Sequence, residues 1–359
     1  MQKWTLIAIN LLVFFVLFNI FYWSVPTLHY LWTTFAPADA KDDPRGRLPN
    51  YANVSWAPQH YRELNQLKTN YKSFIGWRRE PFRGETINVG GPYGQRLTVN
   101  MGTDKSKKVY FFGGSTMWGP GVRDDGTIPS QFAAATSFWS ENFGELGYTA
   151  HQSLVLLVQL LQDGHRPNVV VFYDGVNEVS EKCRTELTPY SHEREAQIDD
   201  LLKTSGDKFS FNYYFAGIRF VANWVGNEMT RVVEPTKASG KSYDCDSKPE
   251  KAEKIVENLL ADWKMAERLV ESYDGKFVGI LQPVSYFSQT RLDQIRDDPV
   301  MRAQFQTVYP LVERLMTEDG AFHNMVRAVD VDEYVYVDFC HLSPNGNALI
   351  AARMAEIFK

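Results

Sequence analysis

The chain has 359 residues, and its 38 lysines and arginines are interspersed with 43 aspartates and glutamates for a formal net charge of -5. That balance excludes an electrostatic footprint for nucleic acid or another polyanion. The length permits one large core or two modest ones, and the 17 prolines and 24 glycines are scattered without repeat or biased tract, which excludes solenoids, propellers and long disorder.

From Trp4 to Trp23 no residue is charged, a length that crosses a bilayer as a helix. Tyr22 and Trp23 stand where interfacial aromatics belong. Lys3 precedes the run and no Lys or Arg follows before Lys41, which predicts an N-in, C-out orientation with the rest of the chain outside the cytoplasm. A cleaved signal peptide competes with this, because Ala36-Pro37-Ala38 and Ala38-Asp39-Ala40 resemble small-residue cleavage sites. The apolar run is longer than the usual signal core, so a retained single-pass anchor over residues 1–32 is favoured. Residues 33–100 are polar at first and contain proline, then glycines and aromatics, and read as a stalk and lead-in segment before a folded domain over 101–359.

In that domain the pattern becomes regular. Strands are predicted at 108–113 (KVYFFG), 138–143, 168–173 (NVVVFY), Lys276–Leu281 and 334–337 (YVYV), and helices at 128–136, 149–162, 249–273 and 301–316. Ser343 reads as an N-cap with Pro344 at the first position of a C-terminal helix. Residues 180–248 have no place in this alternation and are taken as an insertion. Cys183 and Cys245 bracket its polar part; they either pair, if the compartment is oxidising, or remain free thiols. Strands alternating with helices imply a parallel sheet covered on both faces, a three-layer α/β/α domain whose ligand crevice lies beyond the carboxyl ends of the strands.

Those strand ends carry the chemistry. Gly113-Gly114-Ser115-Thr116 allows a tight strand-to-helix turn that exposes a hydroxyl. The segment 142–149 (NFGELGYT) leads into a helix, with backbone N–H groups near Gly147 able to face an anion. Asp174-Gly175-Val176-Asn177-Glu178 places an amide that can donate to a developing oxyanion. Asp338-Phe339-Cys340-His341 offers a carboxylate and an imidazole three residues apart. A serine hydroxyl becomes a useful nucleophile only beside a base, and the base needs a partner that fixes its tautomer. Taken singly, each motif has a plainer reading as a turn or an Asx motif. Four complementary functions at four strand ends are much harder to obtain by chance.

The blocks GGST, NFGELGYT, DGVNE and DFCHLS resemble blocks one, two, three and five of the SGNH (GDSL-like) hydrolase family, over residues 108–359. The resemblance implies a flavodoxin-like SGNH hydrolase fold preceded by one transmembrane helix. It implies Ser115 as nucleophile, an oxyanion hole from the Ser115 N–H, Gly147 and Asn177, and Asp338 orienting His341, with no metal or organic cofactor. The sequence departs from the GDSL version at Gly114 and at Glu178, where that version has aspartate. The activity implied is ester hydrolysis through an acyl-serine. Membrane-tethered members of such a family resemble enzymes of cell-surface glycans, so the expected partner is an O-acetylated carbohydrate or another acylated small molecule. The rivals are O-acyl transfer to a sugar, a lipid or thioester esterase, and a catalytically silent glycan-binding protein.

Several other residues have plainer readings. Cys340 is expected to be a buried packing thiol. His151 is expected on a helix, hydrogen-bonded or partly exposed, and His165 in a loop. Trp224, Trp263 and the tyrosines of the insertion are expected first as core, with sugar contact as the alternative.

Overall fold

The computed structural model describes residues 3–35, 43–99, 104–205, 242–316 and 320–358. The chain divides into two compact units, 1–41 with 194–241 and 42–193 with 242–359.

In the first unit the apolar run forms α1 (Lys3–Phe35), of which the 19 residues Lys3–Phe21 are apolar and long enough to cross a membrane. At 1.5 Å per residue that stretch spans about 28 Å, close to the ~30 Å of a hydrocarbon core. Its Leu11, Phe14 and Leu17 side chains are exposed. The other described element of this unit is α7 (Glu195–Ser205), with Leu201 and Leu202 exposed. Trp224 lies outside the described residues.

The second unit is built on an eight-stranded sheet. Five parallel strands, β6 (Asp104–Gly113), β7 (Phe138–Asn142), β8 (Val169–Asp174), β9 (Lys276–Leu281) and β10 (Phe322–Asn324), lie in the order β10-β9-β8-β6-β7. Counted along the chain this is 2-1-3-4-5, the flavodoxin-like order, whose reversal between β6 and β8 opens the ligand crevice. Because side chains alternate along a strand, β6 sends Val109 and Phe111 to one face and Tyr110 and Phe112 to the other. The first face is covered by α4 (Ile128–Thr136) and α10 (Pro344–Glu356). The second is covered by α5 (Ala150–Gln162), α8 (Pro249–Glu271) and α9 (Pro299–Leu315). Trp263 of α8 packs on the sheet where β9 has a glycine; a Cβ at Gly279 would stand 2.7 Å from the indole. The expected three layers are present.

Two expectations are corrected. Residues 43–70, expected as a stalk, are folded, and so is the lead-in segment after them. They form α2 (Ala57–Gln66), the hairpin of β1 (Thr69–Lys72) and β2 (Gly76–Arg79), and three short antiparallel strands, β3 (Phe82–Arg83), β4 (Asn88–Gly90) and β5 (Gln95–Arg96). These last three extend the main sheet beyond β7, where Arg96 pairs with Asn142. The YVYV segment is not a strand either. The Tyr336 carbonyl is taken by the Asn50 and Gln294 amides, and 335–343 bonds to itself through Val337 N–H to His341 O and Ser343 N–H to Val335 O. The fifth parallel strand is instead β10, whose three residues are too few to show a period.

The insertion is held at its base, since Cys183 and Cys245 are disulfide-bonded and Arg184 bridges to Tyr243. Ser343 caps α10, accepting from the Gly346 N–H at 3.5 Å, with Pro344 at the first position.

Candidate active site

β6 ends in two glycines for two different reasons. Gly113 has φ +147 and an added Cβ would strike the Tyr173 carbonyl of β8, so only glycine lets these strand ends close. Gly114 is extended, a conformation open to any residue, but a Cβ there would overlap the Asn177 side-chain amide. The amide fills the room that the GDSL aspartate would need. Ser115 then opens the single turn α3 (Ser115–Trp118) at the crevice.

The last loop delivers its partners to that serine. Ser115 Oγ lies 2.7 Å from His341 Nε2, and His341 Nδ1 lies 2.7 Å from Asp338 Oδ2. The other carboxylate oxygen of Asp338 accepts the backbone N–H groups of Cys340 and His341 at 3.0 and 2.8 Å, which fixes the turn joining acid to base. Burial disfavours the Asp338 charge, yet the His341 ring and the two N–H donors outweigh it and hold this carboxyl well below the usual range. An ionised Asp338 keeps the imidazole proton on Nδ1 and leaves the Nε2 lone pair facing the serine.

Two further loops carry Gly147 and Asn177. Gly147 has φ +78, and a Cβ on it would stand 2.6 Å from the Glu193 carboxyl. Asn177, in α6 (Val176–Ser180), donates one N–H to the Tyr148 carbonyl at 2.7 Å and lies against Gly114, between the residue before the nucleophile and the residue after Gly147. Among the described residues the Ser115 and Gly147 N–H groups donate to no protein acceptor. Ser115, His341 and Asp338 are thus in hydrogen-bond contact, with Asn177 packed on Gly114 and bonded to Tyr148, the residue after Gly147.

The residues that fix these loops were not foreseen. Glu178, noted only as a departure from the aspartate of the resembling pattern, accepts Ala150 N–H at 2.8 Å and Gly175 N–H at 3.0 Å, tying the Gly147 loop to the Asn177 loop. Thr116, next to the nucleophile, donates to Gln282 Oε1 at 2.6 Å just past β9. Two buried arginines come from the lead-in segment. Arg78 donates to the carbonyls of Phe143 and Tyr93 at 2.9 and 2.8 Å, and Glu145 beside it is fully buried and 3.2 Å from Arg79. Arg96 donates to Trp118, Gly119 and Val122 carbonyls and to Asp124. No local sequence pattern marks an arginine for burial, so only the fold reveals them.

The remaining candidates fall into plainer roles. Cys340 is a buried free thiol in the core, and burial pushes its pKa up. Trp263 is core, donating to Asp174 Oδ2 at 2.9 Å. His151 pairs with Asp262 at 3.0 Å, and His165 Nδ1 lies 2.9 Å from the Tyr110 hydroxyl. Among the described residues the only cluster of three metal-ligating side chains is Asp338, Cys340 and His341, where the imidazole is already held from both sides.

No family model matches the chain, and neither does any curated protein. Solved structures do. It is similar to a carbohydrate acetylesterase from Sinorhizobium meliloti, at 13% identity over 70% of this chain and 97% of that one, with a TM-score of 0.36. A GDSL-like lipase from Bacteroides thetaiotaomicron is 12% identical over 72% and 92%, with a TM-score of 0.38. An acetyl xylan esterase is 13% identical over 69% and 98%, also at 0.38.

Proposed function

We propose that this chain is a serine ester hydrolase of the SGNH type. The observation that carries the reading is the relay from Ser115 through His341 to Asp338, two contacts of 2.7 Å at the switch point of a flavodoxin-like sheet. Ser115 Oγ attacks the ester carbonyl carbon and passes its proton to His341 Nε2. The Ser115 and Gly147 N–H groups and the Asn177 amide receive the charge on the carbonyl oxygen. When the tetrahedral species collapses, the ester C–O bond breaks and His341 returns the proton to the departing alcohol. Water then gives a proton to His341 and attacks the acyl-serine, Ser115 leaves as the alkoxide, and His341 reprotonates it.

An O-acetyl group on a glycan is the proposed substrate. The exported side of the membrane is the proposed location, with α1 as anchor, supported by the apolar length of Lys3–Phe21 and the lack of Lys or Arg between Lys3 and Lys41. Protease added to intact cells should digest the hydrolase unit, and protection until the membrane is opened would contradict that orientation. For the chemistry, a fluorophosphonate should add once to the purified chain by intact mass and not at all to Ser115→Ala. Labelling that survives in Ser115→Ala would remove the assignment.

A further inference from the structure

Beside Asp338 runs a groove of about 710 Å³, lined by Pro44, Arg45, Leu48, Tyr286, 294–299, Met301 and 337–339. That volume lies within the ~300–1,000 Å³ of small-molecule sites. We propose that this groove is the subsite for the alcohol half of the ester, and that the alcohol it takes is a sugar chain. The inference rests on the ester-hydrolase reading and deepens it.

Position comes first. His341 must hand its proton to the departing alcohol oxygen, so the alcohol lies on the imidazole side of the acyl carbon, away from the Gly147 and Asn177 donors. Asp338 is the next group along that side, and the groove contains Asp338 and Phe339. Neither Ser115 nor His341 lines the groove, and a chain of linked rings leaving Ser115 over His341 would enter it at Asp338.

The lining then selects the chemistry. Its charges are mostly engaged already: Arg45 is bound to Asp43 at 2.7 Å, Asp297 to Arg302 at 2.7 Å, and Asp298 caps α9 through the Val300 and Met301 N–H groups. Left available among the described residues are the exposed Arg296 guanidinium as donor and the Tyr286 hydroxyl, which donates or accepts. A ligand complementary to that set must both donate and accept at several points, as adjacent hydroxyls do. A hydrocarbon chain would satisfy neither the Arg296 guanidinium nor the Tyr286 hydroxyl. Tyr286 and Phe339, stacked at 5.9 Å, supply the apolar wall that the C–H face of a sugar ring needs.

The test compares two substrates on the full-length protein in detergent, p-nitrophenyl acetate and a partly O-acetylated xylo-oligosaccharide, using Arg296→Ala, Tyr286→Phe and the double variant. Neither residue belongs to the relay, and Tyr286→Phe keeps the ring packing. The expected result is a KM for the oligosaccharide raised about tenfold in the double variant, with p-nitrophenyl acetate turnover unchanged. Two results would overturn the groove: an unchanged oligosaccharide KM, or an equal loss on both substrates. Wild-type protein that turns over p-nitrophenyl acetate but never the oligosaccharide would overturn the sugar assignment. One that turns over neither would overturn the ester-hydrolase reading beneath it.

Discussion

Asp338→Asn separates the proposed relay from a coincidence of packing. In the native turn Oδ1 of Asp338 accepts two backbone N–H groups while Oδ2 faces His341 Nδ1. An asparagine has one oxygen, and two N–H groups at 3.0 and 2.8 Å decide where it goes: it keeps the Oδ1 place, which turns the new NH2 toward Nδ1. An NH2 there cannot accept, so the imidazole shifts its proton to Nε2 and presents a donor to Ser115 where an acceptor is required. The serine proton then has nowhere to go. In a triad this tautomer error costs about 10⁴ in kcat, or about 5 kcal/mol of transition-state stabilisation, with the geometry otherwise kept. We expect that loss in p-nitrophenyl acetate hydrolysis, with an unaltered circular dichroism spectrum and a melting temperature close to wild type at neutral pH. A folded Asp338→Asn protein within tenfold of wild-type kcat would refute the relay.

The amide donor and the buried histidine give two further expectations. Asn177→Ala removes one oxyanion donor, typically worth about 2.7–4 kcal/mol, so kcat should fall about a hundredfold to a thousandfold with little change in KM, while fluorophosphonate still labels Ser115 slowly; a wild-type kcat in a folded variant would take Asn177 out of the site. His60 is fully buried between Thr86 Oγ1 at 3.1 Å and the Pro120 carbonyl at 2.6 Å, and burial, with Arg96 nearby, lowers its pKa to about 3. The unfolded chain takes up that proton below about pH 6.5 and the native protein does not until about pH 3, so stability falls as pH drops across this window. Between pH 7 and pH 5 the histidine alone should remove about 2 kcal/mol, read as the difference in urea midpoints between wild type and His60→Gln at both pH values. Equal pH slopes in the two proteins would show that His60 does not titrate this way.

Strands made legible the part of the molecule that they dominate. β8 and β9 were readable because a strand buried on both faces must be an unbroken apolar run, and NVVVFY and KFVGIL are such runs between turn residues. The site was readable for a related reason: each of its residues follows directly on a strand or sits in a tight turn, so sequence neighbours remained neighbours in space. The failures share a cause as well. YVYV has the composition of a strand, but its carbonyls are met by Asn50 and Gln294, from 286 and 42 residues away, and no local pattern reports such partners. β10 is the converse, a strand of three residues made by pairing with β9 and not by its own composition.

The reassignment of residues 43–99 matters most for function, because this segment reaches the loops of Ser115, Gly147 and Asp338. Arg96 fixes the carbonyls that follow the nucleophile turn, and Tyr51 donates to Gly121 in the same loop at 2.7 Å. Arg78 holds Phe143 in the approach to Gly147, and Asn50 holds the Tyr334 and Tyr336 carbonyls beneath the turn of Asp338. Carbonyls in irregular loops have no ladder to pair with, and a buried guanidinium with five donors in a fixed fork can satisfy several at once. In sequence the same arginines are indistinguishable from the solvated charges of a linker. Cut away at residue 101, the four blocks would keep Ser115, Asn177, Asp338 and His341, yet these loop carbonyls would turn to water and Glu145 would lose its arginines. The proposed chemistry is written in the blocks; its geometry depends on a segment that contains none of them.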